Sequence, residues 1–249
     1  MMLRLLVAAL AMLFLLVAWA PATLLDAALQ RATDGRLRIL GASGSVWRGE
    51  GTFASLTPDG RAAQPWLSAG WDTEFGSLLT GALGWRLVER AGATVLQLRV
   101  RPGGVEVVEA DIDAPLKPLL DSIPHPIARA GWRGAARLQI PGWQCDWQGQ
   151  CDGRLKLTWQ DAGVELVPGR RFGDYEITAT ARGNAGTMDI HTLSGEVKVN
   201  GGGSWQQGQR PRFDGSVEGP VEIVGRLPNV MDGVAFPTRN PAVAEIRLR

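Results

Sequence analysis

The sequence predicts a mainly β protein: a single N-terminal transmembrane helix, then one periplasmic domain built on a strongly curved antiparallel sheet, a groove or open barrel in shape. Three observations carry this expectation. Leu5 to Leu25 is a run of 21 residues without a charge. Beyond it, apolar and polar residues alternate with period two instead of 3.6. Glycine and proline number 32 and 15 of 249 residues, above the usual shares of roughly 7% and 5%, as a chain with many tight turns requires.

The apolar run comes first. At about 1.5 Å per residue it is just long enough for a hydrocarbon core of roughly 30 Å. Ala18-Trp19-Ala20 has the small-x-small form of a signal-peptidase site, but Pro21 follows it directly and the apolar stretch continues through Leu24 and Leu25, longer than a signal core of about 7 to 15 residues. The reading is therefore an uncleaved anchor and short helical stalk over residues 1–31, the stalk prolonging the helix from Asp26 and ending near Asp34-Gly35, with residues 32–249 as the periplasmic domain. Arg4 at the leading edge sets the N-terminus in the cytoplasm, which gives a bitopic protein of the inner membrane.

Past the stalk, eight segments alternate strictly: 95–100, 105–108, 154–159, 175–180, 188–191, 196–199, 221–224 and 243–248. Turn residues punctuate them at Pro102-Gly103-Gly104, Pro168-Gly169, Arg182-Gly183-Asn184 and Gly201-Gly202-Gly203. Only Pro115–Ile123 reads as helical. One apolar and one wet face per strand marks an antiparallel sheet covered on a single side, which must hide that side by curling or stacking. Trp47-Arg48-Gly49 and Trp132-Arg133-Gly134 repeat the same tripeptide, each opening a strand, a faint sign of duplication. Nine tryptophans are spread through the domain; they either pack the apolar face or line a groove for an acyl chain or partner strand.

Cys145 and Cys151, the only cysteines, flank five residues. In an oxidising compartment that spacing reads as a local disulfide closing a hairpin tip. A metal site needs more ligands than this segment offers.

Charges balance, 26 basic against 25 acidic, which leaves no extended basic surface for nucleic acid. The three lysines sit in Leu-Lys-Pro, Leu-Lys-Leu and Val-Lys-Val, so no phosphate-binding loop of the Gly-Lys-Ser/Thr type exists, and neither Gly-x-Ser-x-Gly nor His-Glu-x-x-His occurs. Gly201-Gly202-Gly203 reads as a flexible hairpin turn. His125 lies between two prolines; His191 alternates within a strand near Asp189 and Ser194. Asp111 with Asp113, and Asp232-Gly233, read as solvated turn carboxylates. No catalytic, cofactor or metal residue is expected.

The order of motifs resembles protein N of the type II secretion system, the GspN family. An anchor is followed by Ser43-Gly44-Ser45-Val46-Trp47-Arg48-Gly49, then Trp71 with Gly76-Ser77-Leu78-Leu79-Thr80-Gly81, then the tryptophan-flanked cysteine pair with Gly153 and Trp159. Gly173-Asp174-Tyr175-Glu176-Ile177, Leu193-Ser194-Gly195, Gly203-Ser204-Trp205 and Phe213-Asp214-Gly215 complete the series. The resemblance implies a non-enzymatic accessory that contacts the inner-membrane platform, protein C especially, and the outer-membrane secretin, by strand-edge pairing or surface docking. Its docking candidates are Trp47, Gly49, Trp71, Trp132, Gly134, Trp159, Tyr175 and Trp205. The alternative is a periplasmic β-groove carrier of lipid or lipoprotein, with lipid in the concave face.

Overall fold

The computed structural model describes residues 2–57, 60–121, 131–165, 169–230 and 233–248. Helix α1 (Met2–Ala18) and helix α2 (Thr23–Ala32) precede the sheet. The predicted continuous span over Leu5–Leu25 is not one helix. The first helix ends at Ala18, its last turn closed by Trp19 N–H to Leu15 O and Ala20 N–H to Val17 O, because Pro21 has no N–H to offer and restricts the residue before it. At 17 residues, α1 is about 26 Å long. Among the described residues no helix is long and apolar enough to cross a membrane.

Helix α2 is also more than a stalk. Ala22 is buried, and Leu25 and Leu29 pack with Ile39 and Trp71. It ends at Ala32, close to Asp34-Gly35 where the sequence places its end, and both of those residues have positive φ.

Among the described residues, fourteen strands form one antiparallel sheet. They are β1 (Leu37–Gly44), β2 (Arg48–Leu56), β3 (Ala63–Glu74), β4 (Leu83–Glu89), β5 (Thr94–Arg101), β6 (Gly104–Pro115) and β7 (Trp132–Asp146). The series continues with β8 (Cys151–Val164), β9 (Gly173–Arg182), β10 (Ala185–Gly195), β11 (Lys198–Gln206), β12 (Arg212–Glu218), β13 (Ala235–Pro237) and β14 (Val243–Leu248). Spatial order follows chain order from β1 to β12, and then β14 and β13 close the series. The sheet does not close into a barrel. Helix α3 (Leu116–Asp121) follows β6, as the sequence predicts; α4 (Val221–Val224) and α5 (Leu227–Val230) lie between β12 and β13.

Three assignments differ from the sequence reading. Val221–Val224, with the alternation of a strand, is a helical turn that buries Ile223 and Val224; over four residues periods of 2 and 3.6 are indistinguishable. Glu196 and Val197 form the bend before β11. Gly201-Gly202-Gly203 lies inside β11, paired on both sides. A Cβ at Gly201 would stand 2.7 Å from the Phe213 ring, so the glycines there make room for an aromatic neighbour.

The sheet curls. Strands are spaced about 4.8 Å apart, so β3 and β6 would be roughly 14 Å apart in a flat sheet. Instead they touch, and α3 contacts β2, β3, β6 and β7 together. On the inner side Leu67, Ala69 and Val95 pack with Phe53, Leu87 and Ile112. At one end of the strands a larger cluster joins Val164, Phe172, Tyr175, Val197, Val217 and Ile246 to Ile223 and Val224 of α4; this is the far end. The opposite, near end carries the loops 45–47, 75–82, 102–103, 147–150, 183–184 and 207–211. The apolar rows continue across the middle of the same face, where Leu155, Leu157, Ile177, Met188 and Ile190 are only half-buried. The other face is polar, with Arg137 on Asp111 and Lys156 on Glu176.

Candidate docking surfaces

Four tryptophans share one device. Trp71 is paired with Gly49 across β2 and β3, and a Cβ on Gly49 would lie 2.6 Å from the Trp71 ring. The indole Nε1 donates to the Ser45 carbonyl at 3.0 Å. Trp159 lies over Gly134 in the same way, with its Nε1 donating to the Arg133 carbonyl at 2.9 Å. Trp143 pairs with Gly153 and Trp205 with Gly186. The missing Cβ lets each ring lie flat on the neighbouring strand, which shields glycine backbone from water.

The two Trp-Arg-Gly segments both open strands but sit at opposite ends of the sheet. Trp47, half-exposed, caps α1 by donating Nε1 to the Val17 carbonyl at 2.8 Å and packs on Phe75 with centroids 5.9 Å apart. Trp132 belongs to the far-end cluster. It meets Trp159 edge to face at 5.3 Å, and Trp159 meets Tyr175 at 5.4 Å. Tyr175 is 2% exposed and donates its hydroxyl to the Val197 carbonyl at 2.7 Å. Burial, aided by the Asp174 charge, pushes its phenol well above the ordinary range. The structure thus divides the docking candidates: Trp71 and Tyr175 are core, Gly49 and Gly134 serve packing, Trp132, Trp159 and Trp205 are half-buried, and Trp47 stands at the junction with α1.

Cys145 and Cys151 form a disulfide across the β7–β8 hairpin, where they are directly paired. Both thiols of the non-reduced protein should resist alkylation. Cys151→Ser should cost no more than about 2 kcal/mol, because the loop it closes is short; loss of folding in a denaturation curve would contradict this.

Several titratable groups form structural pairs. Asp111 accepts from Arg137 Nε and Nη2 at 2.8 and 2.7 Å, which holds its carboxyl below the usual range. His191 Nε2 lies 3.6 Å from Glu176, which also pairs with Lys156. Ser194 bonds Asp174 instead of His191, at 2.8 Å. Among the described residues no three of His, Cys, Asp and Glu gather as metal ligands. His125 and Asp232 lie outside the described residues.

The residues that seal the first sheet edge were missed by the sequence reading. The Ile39 N–H, on the open side of β1, donates to Asp26 Oδ1 at 2.8 Å, and the Leu37 N–H donates to Thr33 Oγ1 at 3.1 Å. Burial alone would raise the Asp26 pKa, but the Arg38 guanidinium and the Ile39 N–H outweigh it and hold the carboxyl below its ordinary value. Residues 20–22 pair with the loop beyond β1 through Val46 N to Ala20 O and Ala22 N to Gly44 O. At the other edge β13 has three residues and ends in Pro237, which cannot donate to a ladder. In sequence, Asp26 is simply a polar residue after an apolar run.

The chain is thus one open, meandering antiparallel sheet faced with apolar rows and blunted at both edges. The family model described as type II secretion system (T2SS), protein N, matches residues 35–234, and the chain belongs to that family. It is thereby a component of type II secretion, located in the envelope and associated with other parts of that machinery. No curated protein and no solved structure matches the chain at a significant level.

Proposed function

We propose that the chain is a non-enzymatic scaffold of type II secretion, anchored in the inner membrane through α1 with its N-terminus cytoplasmic and the sheet in the periplasm. There it contacts the platform proteins, protein C in particular, and the outer-membrane secretin. The observation that carries this reading is the inner face, packed at both ends by the protein's own side chains. The blocked edges favour docking through faces and strand ends over strand addition at β1.

Export by cells carrying His125→Ala with His191→Ala should stay near wild type. Trp47→Ala, which removes both the cap on α1 and the contact with Phe75, should lower export and partner capture while the sheet resists protease. A folded histidine double variant that cannot support export would sink the scaffold reading.

The half-buried row Leu155, Leu157, Ile177, Met188 and Ile190 favours a second reading, in which the inner face carries an acyl chain. Mass spectrometry of lipid co-purified with the protein separates the two: stoichiometric lipid, lost on Ile177→Glu, supports the carrier.

A further inference from the structure

We propose that the near end of the sheet is a bilayer-docking surface, with Trp19, Phe75, Leu78, Leu79 and Trp147 entering the interface and Arg154, Arg182, Arg210 and Arg212 holding anionic phospholipid headgroups; this rests on the reading of α1 as the membrane segment.

Helix α1 leaves the sheet at this end, fastened by three hydrogen bonds: Trp47 Nε1 to Val17 O, Val46 N to Ala20 O and Ala22 N to Gly44 O. At about 26 Å it falls short of a hydrocarbon core of roughly 30 Å. A short helix tied this closely leaves no slack, so the near end must meet the membrane and supply the missing apolar depth.

The residues displayed there suit that position. Leu79 is 94% exposed and Trp19 82%, and Phe75, Leu78 and Trp147 are more than half exposed. Exposed tryptophans beside aliphatic side chains are the composition of a membrane–water boundary.

Beside this tip the polar face holds an open cleft of about 690 Å³. Register aligns its floor across five strands: Arg154 opposite Thr180, then Thr187, Ser204 and Arg212. Arg182 and Arg210 complete the lining, which contains no carboxylate. Among the described residues none of these four arginines makes an ion pair, although most other surface arginines near the sheet do. Guanidinium forks flanked by hydroxyls match phosphate oxygens.

The test uses the full chain reconstituted into vesicles of phosphatidylcholine with or without phosphatidylglycerol. The native cysteines are paired, so a single environment-sensitive label can be placed by Leu79→Cys, or by Ala91→Cys at the far-end β4–β5 turn as control. Headgroup-depth spin-labelled lipid should quench the label at 79 and not at 91, and more strongly with phosphatidylglycerol present. Replacing the four arginines by Gln should lower the dependence on phosphatidylglycerol roughly tenfold or more, since each cation near anionic headgroups is worth about fivefold in binding; protease resistance confirms that the exposed changes leave the sheet folded. A label at 79 as bright as that at 91 overturns the proposal. So does quenching indifferent to the four arginines, or shielding that rises only with the protein-to-lipid ratio, which would seat a second copy there. Alkaline carbonate separates this from the anchor reading: a chain that resists extraction with an unquenched label keeps the anchor and loses the docking surface. One that is extracted yet quenched at neutral pH loses the anchor and keeps the surface.

Discussion

Trp71→Ala should destabilise the protein by about 3–5 kcal/mol, the range for removing a buried tryptophan. Trp71 is 4% exposed and joins α2 to the sheet through Ala22 and Ile39. Its loss also leaves the Ser45 carbonyl without its indole donor, which costs more if water cannot reach the site. The damage should be local first. Helix α2 would loosen, Asp26 and Thr33 would no longer cover the Ile39 and Leu37 N–H groups, and the β1 edge would open. Hydrogen exchange over residues 23–44 should therefore accelerate more than exchange at the far end. A loss under about 1 kcal/mol with unchanged exchange would show that α2 is held by something other than this contact.

Gly134→Ala should be nearly as severe, for the opposite physical reason. Gly134 has φ of +117°, a conformation that costs an L residue about 1–3 kcal/mol. The added methyl would press on the Gln160 carbonyl and stand 2.7 Å from Trp159 Nε1. Overpacking of this kind costs about 1–3 kcal/mol more, and the backbone oxygen cannot move aside as a side chain would. We expect a loss of about 2–6 kcal/mol in a denaturation curve, with the Trp132–Trp159–Tyr175 contacts disturbed. Gly103→Ala, at a turn with open space around it, is the control. Equal stability for the two variants would mean that the backbone at Gly134, where the β7–β8 register shifts between Arg133 and Ala135, relaxes freely.

The strands with strict alternation, such as 95–100 and 175–180, were legible because a half-buried strand imposes period two. Helix α3 and the disulfide were legible because their signals are local. What escaped were features fixed by neighbours distant in sequence. Gly201-Gly202-Gly203 has the composition of a turn, and only the Phe213 ring on the next strand explains why it is a strand. The four arginines of the near-end cleft come from separate strands and one loop, and only register brings them together. The break after Ala18 depended on Pro21, which the sequence reading used against cleavage but not against helix continuity.

Strand order from β1 to β12 is chain order, and this has a consequence for biogenesis. Each new strand pairs with the one just made, so pairing partners are neighbouring strands in the chain and closure of long loops is mostly avoided. A chain whose segments after α1 cross a membrane in sequence order could therefore zip up strand by strand as it emerges, with β1 already sealed by α2 against pairing with the wrong neighbour. The exposed growing edge moves along the molecule during synthesis, and the last step returns β14 to β12 before the three-residue β13 ends the ladder. Assembly would thus start beside the membrane segment and stop at an edge too short to recruit another chain.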